Sequence, residues 1–205
     1  MPGDVDVKAG LLEAGAALAA VVAAIDVEHL DRTATDAWTL RELVAHATRG
    51  LLTIETTVAA PVDGSTRRLE GATEYFAVAL SNPQVHDGIE QRARDAAAAV
   101  GDDPGGYVRD ALARVTPIVA ATPLDREVQH AAGRLRFEEY LATRIVELTL
   151  HAADVQLAIG EPVAFPEAPS AVTRDVLVGL VARAGALAVA CALTGRAGPR
   201  CNVLG

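Results

Sequence analysis

The chain has 205 residues, of which 51% are hydrophobic and only 3% aromatic, and its formal net charge is −9. The length allows one domain, or one domain with an extension, around a core built mainly from Ala, Val and Leu. The acidic balance argues against nucleic acid and against anionic membrane surfaces as partners, because such binding depends on Lys and Arg. The N-terminus lacks the basic start of a secretory signal, and no uncharged apolar run reaches the roughly 18 residues of a transmembrane helix. We therefore expect a cytoplasmic protein.

Two helices are predicted in the first sixty residues. Apolar residues recur at helical spacing over about 5–28. The Thr-Leu-Arg-Glu segment at 39–42 is a capping box, which predicts that a second helix begins near Leu40 and ends near Ala60. His46 lies midway along this second helix among apolar neighbours.

Helical patterns dominate the rest of the chain as well. A proline at 117 is expected to kink or end the helix that contains it, and a glycine at 160 to end the helix before it. The expected elements are, in chain order, helices over 72–80 and 82–100, a loop over 101–106, a helix over 107–121, a short hairpin over 126–137, a helix over 138–159 and a last helix over 171–193. The element lengths predict an all-α helical bundle.

The helix over 138–159 carries an ionisable stripe on a surface that is otherwise apolar. Its members are Tyr140, Arg144, Glu147, His151 and Asp154, spaced by three or four residues. Glu147 and His151 are four apart, so both side chains can reach one point. Such a stripe is costly to bury unless its members are paired or bind a ligand. It indicates a site on this helix.

Helical bundles bind metals through His and carboxylate side chains on facing helices. The Glu–His pair would need a third ligand, and a set of three protein ligands leaves a position open for water or substrate. His46 is the best candidate by environment. His29 and His86 lie in polar surroundings, and His130 lies in a turn.

Structural interpretations of the same residues stay open at this point. A Glu–His pair on a helix is often only an ion pair, and a histidine such as His46 is often a hydrogen-bonded core residue. Arg144 could pair with Glu147. Trp38, next to the cap of the second helix, fits a hydrophobic staple better than a substrate platform.

Two segments carry a resemblance to a known family. Trp-Thr-Leu-Arg-Glu-Leu-Val-Ala-His-Ala at 38–47, followed by Arg-Ile-Val-Glu-Leu-Thr-Leu-His-Ala-Ala-Asp-Val at 144–155, resembles the mycothiol-dependent maleylpyruvate isomerase family. This family belongs to the DinB-like superfamily of metal-binding four-helix bundles. The resemblance implies an all-α fold with a DinB-like four-helix bundle over 1–160. A short C-terminal helix and tail over 161–205 would pack on the bundle, or on a second subunit in a homodimer.

The resemblance also implies a site and an activity. His46, Glu147 and His151 would ligate a divalent metal, with zinc as the preferred ion, and Asp154 would orient a ligand. Mycothiol would be the thiol cosubstrate, and a small electrophile such as a maleylpyruvate-like enone would be isomerised or S-conjugated. Arg49 is the candidate cation for substrate carboxylates.

Other functions remain compatible with these residues. The isomerase itself has a longer C-terminal domain, so the substrate contacts of that domain cannot be transferred to this chain. A metal-dependent hydrolase, with water as the nucleophile, would use the same bundle and ligands. A non-catalytic helical binding or regulatory protein would keep the bundle alone. The resemblance favours an enzyme without requiring one.

Overall fold

Helices account for most of the structure. The computed structural model describes residues 6–35, 38–81, 88–130 and 132–184. The α-helices in these ranges are α1 (Val7–Ala23), α2 (Leu40–Ala59), α3 (Ala72–Ser81), α4 (Ile89–Ala97), α5 (Pro104–Ala121), α6 (Phe137–Ala158) and α7 (Glu167–Ala184). Two short 3-10 helices, Val27–His29 and Ala98–Val100, and two strands, β1 (Glu127–His130) and β2 (Gly133–Arg136), complete them.

Helices α1, α2, α5 and α6 form a four-helix bundle. Both α1 and α2 pack against α5 and against α6, and α4 packs on the outside of α2. The buried residues are mostly Leu, Val, Ile and Ala, with Tyr140 and Phe137 as the largest side chains that are fully buried. Removing these apolar surfaces from water stabilises the bundle. The prediction of an all-α helical bundle is confirmed.

The capping box at the start of α2 is present as predicted. The Thr39 Oγ1 atom accepts a hydrogen bond from the Glu42 backbone N–H at 3.2 Å. In return, a Glu42 carboxylate oxygen accepts one from the Thr39 backbone N–H at 2.8 Å. These bonds satisfy backbone donors that the first helical turn leaves free, so the helix begins at Leu40.

The structure corrects the boundaries of several predicted helices. Helix α1 ends at Ala23, and a turn and a 3-10 helix replace the end that was predicted near residue 28. Helix α5 begins at Pro104, inside the segment predicted as a loop, because proline is well tolerated in the first turn and Asp103 caps it. Pro117 lies within α5 and does not end it.

The later predicted elements are present with shifted ends. Of the helix predicted over 82–100, residues 89–97 are helical and 98–100 form a 3-10 turn, while 82–87 lie outside the described residues. Helix α7 begins at Glu167, earlier than the predicted 171, and residues 185–193 of that prediction lie outside the described part. The predicted hairpin forms, with Glu127 opposite Arg136 and His130 opposite Gly133.

The hairpin and the last helix both pack on the bundle. Strand β1 contacts α2 and α6, and α7 contacts α6, α3 and α1. The division into domains at residue 160 and a homodimer both stay predictions. Across the ranges that the structure describes, none of the helices combines the length and the apolar character that crossing a membrane would need.

The capping box gives a prediction about stability. Replacing Thr39 by alanine removes the side-chain acceptor at the start of α2, so we expect the free energy of unfolding to fall by about 1 kcal/mol. Urea denaturation followed by circular dichroism would measure the change. The T39S variant keeps the hydroxyl and serves as the control. Equal stability of T39A and T39S would contradict the role of the cap.

Candidate metal centre

Three predicted side chains meet between α2 and α6. His46 comes from α2, and Glu147 and His151 come from α6. One ligand atom from each lies within 4.8 Å of the other two. The Nε2 atom of His151 is 3.3 Å from an Oε atom of Glu147, and the rings of the two histidines have their centroids 4.6 Å apart.

A glycine allows the two helices to approach at this point. A Cβ atom placed on Gly50 would lie 3.3 Å from Leu148 Cδ2 and 3.8 Å from the Cβ of Glu147. Contacts between atoms at the shorter distance are tight, so a larger side chain at this position would press directly on α6. Gly50 lies about one turn after His46, so the close approach occurs beside the three side chains.

The donor atoms suit a divalent metal ion. Two imidazoles and one carboxylate form a common catalytic zinc set, whose donor atoms in tetrahedral geometry are about 3.3 Å apart. The distance between Nε2 of His151 and Oε2 of Glu147, 3.3 Å, equals this value. The other imidazole nitrogen of His151, Nδ1, is 2.9 Å from a carboxylate oxygen of Asp154. A proton held there leaves Nε2 free for a metal. Metal binding by these residues stays a prediction.

The electrostatics of the three side chains favour one protonation pattern. Burial, and then the nearby His151, lowers the pKa of His46 to about 3. Burial alone would raise the pKa of Glu147, but the hydrogen bond with His151 and the charge of Arg144 lower that pKa to about 2. His46 is therefore neutral and Glu147 ionised near pH 7, and these are the forms that bind metals.

His151 differs from His46 because carboxylates contact it. Burial alone would lower the pKa of His151, but the hydrogen bonds with Asp154 and Glu147 outweigh burial and raise the pKa to about 9. A metal ion at Nε2 must therefore displace a proton.

Trp38 packs against His46. Its ring centroid is 4.4 Å from that of His46 and 6.4 Å from that of His151. The indole Nε1 is buried and has no hydrogen-bond partner among the described residues. The sequence predicted Trp38 only as a staple beside the helix cap. Its contact with His46 adds an apolar wall that limits the access of water to the site.

Two other predicted residues take positions that the sequence did not indicate. Arg144 forms no ion pair with Glu147, and instead lies against the rings of Tyr75 and Tyr140. His130, predicted to lie in a turn, is the last residue of β1, and its Nδ1 atom is 2.7 Å from the Tyr75 hydroxyl. Tyr75 lies on α3, and no local pattern could place it beside these two residues.

The remaining described candidates, Arg49 and His29, do not belong to the cluster of three side chains. Arg49 is half-buried one turn after His46, where burial, and then the charge of Arg92, lowers its pKa. His29 belongs to the first 3-10 helix, and His86 lies outside the described residues.

A comparison with protein families identifies the fold around this centre. The model of the mycothiol maleylpyruvate isomerase N-terminal domain matches residues 11–156. The chain belongs to this family. The match includes α2 and α6 as far as residue 156, with all three central side chains. Searches of curated proteins and of solved structures found no match.

Zinc should stabilise the protein through these residues. At a free zinc concentration about 100-fold above the dissociation constant, we expect the free energy of unfolding to rise by about 2.7 kcal/mol. The H151A variant should lose this response, while H29A, which changes a histidine that does not belong to the cluster, should keep it. Metal content and melting temperature would be measured with and without zinc. An equal response in H151A and H29A would show that the metal binds elsewhere.

The burial of His130 gives a second prediction, about pH. Burial, and then the charge of Arg144, lowers the pKa of His130 from 6.5 to about 3. As the pH falls below 6.5, His130 takes up a proton in the unfolded chain but stays neutral in the folded protein. The free energy of unfolding therefore decreases as the pH falls from 6.5 towards 3. The H130N variant keeps an acceptor for Tyr75 but cannot titrate.

Urea denaturation at several pH values would compare the two proteins. The free energy of unfolding of the wild type should fall more steeply than that of H130N below pH 6.5, by at most about 1.4 kcal/mol per pH unit. His46 titrates in both proteins, so its effect cancels. Parallel pH profiles would contradict a buried, neutral His130.

Proposed function

We propose that this protein is a zinc-dependent enzyme that uses mycothiol to isomerise or S-conjugate a small electrophile. The observation that carries the proposal is the meeting of His46, Glu147 and His151 in a chain of the mycothiol maleylpyruvate isomerase family. We also propose that residues 1–160 form the metal-binding unit and that 161–205 pack on it.

The ligand set supports thiol chemistry. When bound, zinc would lower the pKa of a thiol and hold it as a nucleophilic thiolate at neutral pH. Asp154 would keep the proton of His151 on Nδ1, so that Nε2 stays directed at the centre. Trp38 would shield His46 from water. The chain would thus supply a fixed, partly dry position for one thiol.

The reaction follows from the chemistry of a thiolate. Its sulfur forms a bond to one carbon of a cis double bond conjugated to a carbonyl, and the electron pair of the double bond moves to the carbonyl oxygen. Rotation about the resulting single bond and loss of the thiolate give the trans isomer. In an S-transferase the adduct of an enone takes up a proton and leaves instead, whereas the adduct of an aryl chloride expels chloride. Both reactions need the same thiolate and differ only in the fate of the adduct.

An assay of the purified protein tests the proposal. The zinc-loaded enzyme would be incubated with maleylpyruvate, or with 1-chloro-2,4-dinitrobenzene, in the presence and absence of mycothiol, and the products would be followed by absorbance. We expect conversion of at least one electrophile that requires mycothiol and falls to the uncatalysed rate in H46A. The H29A variant is the matched control and should retain the activity.

Two results would contradict the proposal. Turnover that needs zinc but no thiol would indicate a hydrolase with water as the nucleophile. Stoichiometric zinc without turnover of either electrophile, together with no binding of mycothiol by calorimetry, would indicate a non-catalytic protein.

A further inference from the structure

Arg144 is a buried cation without a carboxylate partner. It is 6% exposed, and no described residue forms an ion pair with it. Its Cζ atom lies 5.7 Å from the centroid of the Tyr75 ring and 5.2 Å from that of Tyr140. Cation–π contacts of this kind offset part of the cost of burying the charge. They do not use the N–H groups of the guanidinium as hydrogen-bond donors.

The unused groups of Arg144 are all donors. A guanidinium has several N–H donors and no acceptor. Its Nε–H donates to Thr143 Oγ1 at 3.0 Å, and, against the effect of burial, the neighbouring Tyr75 helps to raise the pKa of Arg144. The other N–H groups of Arg144 make no further hydrogen bond to the described residues. None of its nitrogens is among the described buried atoms that lack a partner, so the N–H groups that make no hydrogen bond within the protein reach solvent, where a ligand can meet them.

The Tyr75 hydroxyl determines which nitrogen of His130 carries a proton. The guanidinium attracts the lone pairs of the Tyr75 oxygen, so the hydroxyl proton points away from Arg144 and is donated to Nδ1 of His130, 2.7 Å away. Burial raises the pKa of Tyr75, which keeps this proton in place. His130 then carries its own proton on Nε2, and no described residue accepts a hydrogen bond from that nitrogen. The cluster of Arg144, Tyr75 and His130 therefore has only donors to offer.

This cluster adjoins the candidate metal centre. Arg144 precedes Glu147 by three residues on α6, so the two lie on one face, about 4.5 Å apart along the helix axis. The charge of Arg144 also contributes to the low pKa of Glu147. On the other side, the Tyr140 hydroxyl lies 3.1 Å from Thr57 Oγ1 and 3.2 Å from Thr53 Oγ1, so its hydrogen bonds are already made within the protein.

We propose that Arg144 and His130, held by Tyr75, bind a carboxylate of the substrate one helical turn from the metal centre. A planar carboxylate accepts from a guanidinium fork in two parallel hydrogen bonds, and its charge compensates that of the arginine. The assignment to a substrate rests on the proposed function. It narrows the electrophile to one that carries a carboxylate, and it places the group that selects this carboxylate within the bundle.

A purely structural role for Arg144 makes a different prediction. In that case the guanidinium only balances the charge of Glu147 and packs on the two tyrosines, and the protein binds no small anion beside it. Calorimetry with succinamate, which has one carboxylate, and with succinamide, which is uncharged and of nearly the same shape, separates the two roles. The titrations would use chelator-treated protein and zinc-loaded protein, because a carboxylate could also bind the metal.

We expect succinamate to bind wild type in both preparations and succinamide to bind in neither. The R144Q variant should weaken succinamate binding about tenfold to hundredfold, because a charged hydrogen bond is lost. The H130N variant, which keeps the acceptor for Tyr75 but removes the Nε2 donor, should weaken it about fivefold. The R174Q variant changes an exposed arginine of α7 and should bind as wild type does. Circular dichroism would establish that each variant is folded.

Several outcomes would overturn the inference. These are the absence of succinamate binding to wild type, equal binding of succinamide, unchanged affinity in H130N, or binding that needs zinc and persists in R144Q. Zinc titrations of the same preparations keep this inference separate from the proposed function. Zinc binding without carboxylate binding refutes the subsite alone, whereas carboxylate binding without zinc binding refutes the metal centre alone.

Discussion

The close approach of α2 and α6 is the constraint on which the candidate site depends. Gly50 leaves room for the Leu148 side chain of α6, whose Cδ2 would lie only 3.3 Å from a Cβ atom at this position. This approach brings His46 to the face of α6 that carries Glu147 and His151. The capping box sets the first residue of α2, and it therefore determines how far along the helix interface His46 lies. A glycine and a helix cap thus position a site to which neither contributes a ligand.

The charges inside the bundle are arranged differently from those of the whole chain. The chain is acidic, with a net charge of −9, yet at the candidate centre a guanidinium and a histidine of raised pKa balance two carboxylates, those of Glu147 and the more exposed Asp154. A divalent ion that replaces the proton of His151 adds one net positive charge. One anionic ligand at the open position then restores neutrality. A thiolate meets that requirement, which is consistent with thiol chemistry and does not require it.

Local patterns predicted α6 and the start of α2. The polar stripe and the capping box each depend on residues that lie close together in the sequence. The pairing of His46 with α6 needed a longer-range argument, which its apolar environment and the family resemblance supplied. The surroundings of Arg144 and His130 could not be predicted in this way. Tyr75 reaches both from α3, and the packing that brings it there involves residues far apart in the sequence. The predicted pairing of Arg144 with Glu147 failed for the same reason.

Two members of the polar stripe on α6, Asp154 and Arg144, differ in exposure and in the groups that they contact. The Asp154 side chain, at the outer end, is 44% exposed and relies on water as well as on His151. Arg144, nearly three turns earlier, is 6% exposed and lies against two aromatic rings. Aromatic faces stabilise a cation but accept few of its hydrogen bonds. Arg144 therefore keeps its charge while some of its N–H groups make no hydrogen bond within the protein. Under this condition a buried arginine can bind a ligand.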